Sequence, residues 1–429
     1  MKDNTPISSF SRTKTVVKSA VKIGTKKAVQ FSKKSFLSDD DYTKEQSKTN
    51  SEIANILFEN ISILKGTAVK IAQALALHNI LPSDVQKELS KSYNQIKPIN
   101  KALVIKILQN EFQDNYEHIF KEFNLKPFAS ASLGQVHFAT TYNDKDVAVK
   151  IQYPSIDKTI QSDIKLIKKF SNFKNNILPI IEEVEDKLYE EIDYTNEMQN
   201  TIWAYKNFNT NDIIVPKVYK KLSTKHILTT SYIEGLDLNS WLKTDPKQED
   251  KEKIANDIFL VFTNSIFKYK KIQADPNPAN YIVTKNNKLA LIDFGCMKMF
   301  DDKFINNYID ILKIYNSTDK KEVLKLYKNM GFIDKIEDIS DAMFEDEIIP
   351  FQKWAIEPFL NDEYMFTKKY LKKGVAYADI LTKKPFVPIK DFVFLDRTSH
   401  GLFSLFEQMG VSINMKVFKK YLGLGIGVR

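Results

Sequence analysis

Three short motifs, widely separated along the chain, restrict its fold more than any other feature of the sequence. The first is V-A-V-K at residues 147–150, an aliphatic run that predicts a buried strand carrying Lys150. The second is D-P-N-P-A-N at residues 275–280, whose two prolines indicate a rigid loop. The third is L-I-D-F-G at residues 291–295, an aliphatic strand that ends in Asp293 and a turn-permitting glycine. A short hairpin is expected between the second and third motifs.

These motifs contain the residue types that phosphoryl transfer requires, namely a cation for the phosphates, oxygen ligands for Mg²⁺ and a carboxylate near the nucleophile. Lys150 is expected to contact the α and β phosphates of ATP, and Asn280 and Asp293 to bind Mg²⁺. Asp275 lies five positions before Asn280, which is the spacing of the kinase catalytic loop H-R-D-x-x-x-x-N, and is expected to orient the attacking hydroxyl or water. Each motif alone has a structural explanation, but their order favours the catalytic one.

A helix predicted over residues 181–208, between the lysine strand and the D-P-N-P-A-N loop, contains an acidic segment. Four carboxylates recur at helical spacing, so they share a face of that helix. They form either a solvated stripe or the source of a partner for Lys150, and Glu191 on another face is a further candidate. The sequence leaves this partner open. The four residues are Asp186, Glu190, Asp193 and Glu197.

No glycine-rich phosphate loop precedes the lysine strand. Small residues stand there instead, and small side chains let backbone N–H groups approach phosphates. Their methyl and hydroxyl groups should stiffen the loop relative to glycine. These residues are Ala129, Ser130, Ala131 and Ser132.

Taken together, the motifs resemble those of the UbiB/ADCK-type atypical kinase-like family, in particular its coenzyme Q-associated branch, over roughly residues 10–429. The resemblance lies in the alanine-rich loop at residues 127–136, Q-Y-P at 152–154, E-I-D at 191–193 with Glu197 after it, and Q-A-D-P-N at 273–277. The family's K-x-G-Q motif reads K-I-A-Q at residues 70–73. In the family, the helix with this motif covers the active cleft. The resemblance therefore implies that Lys70 and Gln73 project toward the nucleotide and toward Glu191 or Asp193.

The resemblance implies an α+β, two-lobed, atypical protein-kinase-like fold with an N-terminal helical extension. It implies that Glu197 and the small-residue loop join Lys150 at the nucleotide, which is ATP or, since Ser130 replaces a family alanine, ADP. The implied activity is that of a Mg²⁺-ATP-dependent kinase or ATPase that supports ubiquinone or isoprenoid-lipid metabolism. Two alternatives stay open: an ATP-binding scaffold that organises lipid-biosynthesis enzymes with little turnover, and a small-molecule or protein kinase.

The same analysis divides the chain into four segments. Residues 1–45 form a basic segment, amphipathic over part of its length, and residues 46–115 a helical extension with the K-I-A-Q motif. Residues 116–235 form a small lobe with the small-residue loop, lysine strand and acidic helix. Residues 236–429 form a helical lobe with the catalytic and metal-binding loops.

Composition bears on location and partners. The net charge is +9, but only three arginines are present, which argues against nucleic acid as a partner. The basic N-terminal segment is either an amphipathic helix on an anionic membrane surface or a flexible tail. No apolar run approaches the ~18–20 residues of a membrane span, and a single cysteine, Cys296, fits a reducing compartment. We expect a cytoplasmic protein without a transmembrane segment, peripheral at the inner face of a membrane and in contact with isoprenoid lipid.

Overall fold

The computed structural model of the chain describes residues 99–131, 133–170, 185, 188–381, 385–387 and 389–423. These residues belong to two compact units. The first contains the chain up to Gln199 together with Val218–Tyr232, and the second contains Asn200–Lys217 and the chain from Ile233 onward. Most of the N-terminal helical extension expected from the sequence lies outside the described residues.

The secondary structure begins with helices and strands of the first unit. In chain order these are α1 (Lys101–Phe112), α2 (Tyr116–Ile119), β1 (Glu122–Phe123), β2 (Ala129–Ala131), β3 (Gly134–Thr140), β4 (Asp146–Gln152), α3 (Ile156–Phe170), α4 (Tyr194–Phe208), β5 (Ile213–Ile214) and β6 (Ile227–Ser231). The boundary between the units falls within α4, and β5 belongs to the second unit.

The remaining elements all belong to the second unit. They are β7 (Leu236–Asp237), α5 (Leu238–Leu242), α6 (Gln248–Phe267), β8 (Lys271–Gln273), β9 (Tyr281–Val283), β10 (Leu289–Leu291), β11 (Met297–Met299), α7 (Asp302–Lys313), α8 (Lys320–Met330), α9 (Asp341–Met343), α10 (Ile349–Ile356), β12 (Glu363–Met365), α11 (Lys368–Leu381), α12 (Lys390–Met409), β13 (Ser412–Asn414) and α13 (Lys416–Leu422). A π-helical turn, Phe344–Ile348, joins α9 to α10.

An antiparallel sheet forms the centre of the first unit. Strands β3 and β4 pair along their whole length, β1 and β2 pair with β3, and β6 pairs with β4. Side chains of a strand alternate between its two faces, and the alternating Val147, Val149 and Ile151 of β4 are completely buried. They pack in one cluster with Val104 and Leu108 of α1. The lysine strand is therefore fixed at a central position by its own hydrophobic pattern.

The helix expected over residues 181–208 is interrupted before α4. Residues 188–191 are helical, Ile192 is in a turn and α4 begins at Tyr194. Two hydrogen bonds stabilise the break: Asp193 Oδ1 accepts from the Thr195 N–H at 3.0 Å, and Gln152 Nε2 donates to the Ile192 carbonyl at 2.5 Å. A carboxylate that bonds to the backbone N–H two residues later favours such a turn over a continuing helix.

The second unit combines small sheets with a large helical core. Strands β9 and β10 form an antiparallel hairpin, β5 pairs parallel to β10, and β7 pairs with β9. Strand β8, which precedes the hairpin in the sequence, and strand β11, which follows it, form a separate antiparallel pair. This arrangement holds the loop before β9 and the loop after β10 against one packed core, in which Ile258, Phe259 and Ile266 of α6 are buried.

The mixed helical and sheet structure confirms the predicted α+β class. Within the described residues, no helix combines the length and the apolar character that crossing a bilayer requires.

Candidate functional site

One candidate cluster lies in the first unit and is called the lysine cluster, which we define as Lys150, Glu197 and Tyr194. Strand β4 carries Lys150 and α4 carries the other two. Lys150 Nζ lies 2.8 Å from Glu197 Oε1 and 2.7 Å from Glu197 Oε2. The Lys150 side chain is 17% exposed and that of Glu197 3%, so this ion pair is shielded from water. Of the carboxylates that the sequence left open, Glu197 pairs with Lys150.

Tyr194 was not predicted as a site residue. Its ring is fully buried, and Lys150 Nζ lies 5.1 Å from the ring centroid, within the range of a cation–π interaction. A Cβ atom at Gly134 would lie 2.7 Å from the Tyr194 hydroxyl and 2.5 Å from the Ile151 carbonyl oxygen. Only glycine fits there, because real Cβ contacts are essentially never shorter than 3.0 Å. Tyr194 follows E-I-D directly in the sequence, and this position is the one sequence signal that points to it.

The small-residue loop forms a hairpin next to this cluster. Ala129, Ser130 and Ala131 constitute β2 and pair with Val136, Gln135 and Gly134 of β3. Ala129 and Ser130 are exposed. Ser132 lies outside the described residues. The predicted phosphate loop is therefore part of a β-hairpin whose first strand has small and mostly exposed residues.

The remaining residues expected at the nucleotide have different outcomes. Asp193 caps the start of α4 through its bond to Thr195, and Glu191 ends the helical turn before the break. The interruption at Ile192 means that Glu190 and Glu197 of the predicted acidic stripe do not lie on one continuous helix, and Asp186 lies outside the described residues. Lys70 and Gln73 lie outside the described residues.

A second candidate cluster lies in the second unit and is called the D-F-G cluster, which we define as Asp275, Asn280 and Asp293. Asn280 Nδ2 donates to the Asp275 carbonyl at 3.1 Å, and Ile292 N–H donates to the Asn280 carbonyl at 3.1 Å. The Asn277 side chain accepts from the Ala279 N–H at 3.0 Å, which caps the short 3₁₀ turn Pro278–Asn280. The loop is thus rigid, and Asn280 lies beside the residue that precedes Asp293.

The donor atoms of this cluster fit a Mg²⁺ ion. Asp293 Oδ1 accepts from the Gly295 N–H at 2.9 Å, which fixes the orientation of the carboxylate. The Asn280 amide nitrogen is engaged with Asp275, so its amide oxygen is the atom available to a metal. Hard oxygen donors of these two kinds are what Mg²⁺ prefers, and it usually takes only one or two protein ligands besides phosphate and water. Both residues also line a cavity of about 40 Å³.

Two residues outside the predicted set hold the D-F-G backbone. Asn200 Nδ2 donates to the Phe294 carbonyl at 3.1 Å, and Lys271 Nζ donates to Asn200 Oδ1 at 2.8 Å. Lys271 Nζ also lies 4.8 Å from the centroid of the Trp203 ring, and burial lowers the pKa of Lys271. Asn200 and Lys271 belong to no motif that the sequence displays.

The electrostatic field of the catalytic loop reaches Tyr281. Burial and, secondarily, the charge on Asp275 raise the pKa of the Tyr281 phenol. Tyr281 therefore stays neutral at physiological pH, and a negative charge on Asp275 lies close to it.

A β-strand lysine paired with a helical glutamate, together with an Asp-Phe-Gly loop after a hairpin, defines a protein-kinase-like chain. The chain belongs to the ABC1 atypical kinase-like family, whose model matches residues 91–327. The resemblance to UbiB/ADCK-type proteins is thereby confirmed.

Curated relatives have names that agree with this family. The chain is 28% identical to the probable serine/threonine-protein kinase abkA of Dictyostelium discoideum, over 95% of this chain and 78% of that one. It is 27% identical to the mitochondrial atypical kinase COQ8 of Saccharomyces cerevisiae, over 84% of this chain and 74% of that one.

A solved structure shares the fold. The Mycobacterium tuberculosis protein Rv3197, solved as a complex with erythromycin, superposes with a TM-score of 0.64. The match covers 90% of this chain and 98% of Rv3197 at 21% sequence identity. At this level of identity the similarity indicates a shared fold and says nothing about function.

Proposed function

We propose that the chain binds Mg²⁺-ATP and uses it as an atypical kinase or ATPase. The observation that carries the proposal is the shielded pair of Lys150 and Glu197, with the ammonium held 2.7 Å from the carboxylate. In protein kinases a lysine held in this way by a helical glutamate binds the α and β phosphates of ATP. The backbone of the β2–β3 hairpin, with its small side chains, is the candidate contact for the remaining phosphate oxygens.

The D-F-G cluster supplies the other roles. Asn280 and Asp293 would hold the metal ion. A bound Mg²⁺ would neutralise part of the negative charge of the phosphates. Asp275 accepts the proton of an incoming hydroxyl group or water, whose oxygen forms the new bond to the γ-phosphorus while the bond to ADP breaks. Asn200 and Lys271 keep the Phe294 carbonyl in place and so keep Asp293 oriented. ADP is the alternative nucleotide.

A role in ubiquinone or isoprenoid-lipid metabolism is part of the proposal. It is supported by the similarity to COQ8 of Saccharomyces cerevisiae and by the coenzyme Q-type motifs in the sequence. We further propose a peripheral location at a membrane, with isoprenoid lipid or lipid-biosynthesis enzymes as partners. If a strain lacking the protein keeps a normal quinone pool, the metabolic role is wrong, whereas the nucleotide chemistry is tested separately.

The nucleotide proposal is tested by thermal unfolding with and without Mg²⁺-ATP. A ligand at 100 times its Kd stabilises the folded state by about 2.7 kcal/mol, so a clear increase in Tm is expected for the wild type. Lys150→Ala and Asp293→Asn should lose most of this increase. Lys145→Ala and Asp334→Asn are the matched controls, because both residues are exposed and both variants should respond like the wild type. An equal shift in all five proteins would contradict the proposal.

Phosphate release and transfer are measured on the same samples, because turnover separates an enzyme from an ATP-binding scaffold. An enzyme is expected to release or transfer phosphate at a rate that Asp275→Asn lowers by about 10²-fold or more. Mg²⁺-ATP binding without turnover, even with candidate phenols or isoprenoid lipids present, would support the scaffold instead.

A further inference from the structure

The helical part of the second unit contains a second cavity, of about 60 Å³, away from the residues of the D-F-G cluster. Helices α6, α7, α10, α11, α12 and α13 contribute to its lining, which is largely aromatic. Trp354 and Tyr370 stack in this lining with ring centroids 5.0 Å apart, and Phe403 lies edge-on to Tyr370 at 6.4 Å. A purely apolar cavity of this kind would be an ordinary packing defect of the core.

One charged residue distinguishes this cavity from a packing defect. Asp396 of α12 lines it, and among the described residues Asp396 has neither a hydrogen bond nor an ion pair. Burial raises the pKa of Asp396 to about 6, so the carboxylate is mainly ionised at neutral pH. Burial and, secondarily, the Asp396 charge raise the pKa of Tyr308, and the same charge contributes at Tyr370, so both phenols lie near the carboxylate.

An unpaired, partly buried carboxylate among aromatic rings is unfavourable in the absence of a ligand, because a charge with reduced hydration needs a partner. The same two features attract one class of ligand. A carboxylate and the negative faces of aromatic rings both favour a cation and both repel an anion. A hard metal ion takes six or more oxygen ligands, and with one carboxylate in a largely aromatic lining nearly all of them would have to be water. An organic cation meets the carboxylate with its charge and the aromatic walls with its alkyl groups.

The size of the cavity narrows the ligand further. A water molecule needs about 10–15 Å³ of such space, so 60 Å³ accommodates a group of about four to six heavy atoms. This is the size of a methylated ammonium group. We propose that the cavity lined by Asp396, Tyr308, Trp354 and Tyr370 binds an alkylammonium group, with Asp396 as its counter-ion. The site is independent of the nucleotide chemistry proposed above.

The test is calorimetric titration of the full chain with tetramethylammonium chloride, against tert-butanol as a neutral ligand of similar shape and sodium chloride at equal ionic strength. Binding in the millimolar range or tighter is expected for the ammonium ion, and at least tenfold weaker binding for the other two. Free choline and a short-chain phosphatidylcholine are titrated in separate arms. Binding of choline alone assigns a soluble amine, and binding of the lipid assigns a head group. Failure of tetramethylammonium and of both these ligands to bind overturns the proposal.

Asp396→Asn is the decisive variant, because it keeps the shape of the side chain and removes its charge. We expect at least a tenfold loss of tetramethylammonium affinity, with an unchanged circular dichroism spectrum. Glu407→Gln removes a carboxylate from the same helix, outside the lining, and should bind like the wild type. Equal affinity in wild type and Asp396→Asn, or tert-butanol binding as tightly as the ammonium ion, would also overturn the proposal.

Discussion

Lys150 Nζ lies within 2.8 Å of both carboxylate oxygens of Glu197, and the two side chains are 17% and 3% exposed. The pair joins strand β4 to helix α4 within the first unit. Because both groups are shielded from water, each one stabilises the charge of the other, and a single substitution removes an ion-pair partner from the charge that stays. The geometry of the lysine is therefore coupled to the position of α4.

This coupling can be measured with a double-mutant cycle. Lys150→Met and Glu197→Leu should each destabilise the protein by about 3 kcal/mol, since each removes the ion-pair partner of a charge that is shielded from water. The double variant should lose at least about 2 kcal/mol less than the sum, because it leaves neither charge. Urea denaturation of the four proteins gives the free energies of unfolding. Additive single effects would show that the two groups stabilise the fold independently.

The hydrogen bond from Asn200 to the Phe294 carbonyl leads to a second prediction. Asn200→Asp keeps the side-chain size and the contact with Lys271, but it replaces the donor N–H by a carboxylate oxygen facing a carbonyl. Loss of one such bond amounts to about 1 kcal/mol. We therefore expect nucleotide binding to need a roughly fivefold higher Mg²⁺ concentration for half-saturation. Asn196→Asp, exposed and one turn earlier on α4, is the matched control. An unchanged Mg²⁺ titration for Asn200→Asp would exclude this positioning role.

Gly134 gives a third prediction, this time on stability. In Gly134→Ala the new methyl would lie 2.5 Å from the Ile151 carbonyl oxygen, so β3 or β4 must shift. Overpacking of this kind typically costs about 1–3 kcal/mol. Ser130→Ala, at an exposed position of the same hairpin, should change the free energy of unfolding by less than about 0.5 kcal/mol. Thermal or urea unfolding of both variants checks the difference, and equal stabilities would refute the close approach.

Local patterns were sufficient for the elements that carry the main motifs. Strand β4 has alternating buried valines, and two short aliphatic runs form the strands of the hairpin β9–β10. The strand with Lys150 and the hairpin before Asp293 could therefore be predicted from residues that are neighbours in the sequence. The partner of Lys150 did not follow in this way. Helical periodicity treats residues 181–208 as one helix, whereas the bond from Gln152 to Ile192 and the cap formed by Asp193 interrupt it.

Contacts between distant residues were beyond the sequence alone. Lys271 meets Asn200 across 71 positions, and Asn200 meets Phe294 across 94, and no local pattern encodes such pairs. Asp396 likewise looked like an ordinary polar residue of a helix until the elements around it were known. The roles of Lys70 and Gln73 stay predictions, since both lie outside the described residues.

Asp396 gives a prediction on the pH dependence of stability. Its pKa in the folded protein is about 6, compared with an ordinary value of 3.8, so the folded state binds a proton more tightly than the unfolded chain does. The protein therefore loses stability through this group as the pH rises from about 4 to above 6, by roughly 3 kcal/mol in total. Tyr308 and Tyr370 also line the cavity, and Glu357 lies near Tyr370, but burial raises the pKa of both phenols, so neither titrates in this interval.

Asp396→Asn should consequently stabilise the protein in the absence of a ligand, by up to about 3 kcal/mol at pH 8 and hardly at all at pH 4. Urea denaturation of the wild type and the variant at pH 4, 5, 6, 7 and 8 gives this difference directly, with Glu407→Gln as the control that should show no such trend. Since most substitutions in a folded core destabilise, a gain that grows with pH has no general explanation other than removal of a buried charge. A variant that is less stable than the wild type at pH 8 would mean that the Asp396 carboxylate has a stabilising partner in the folded chain.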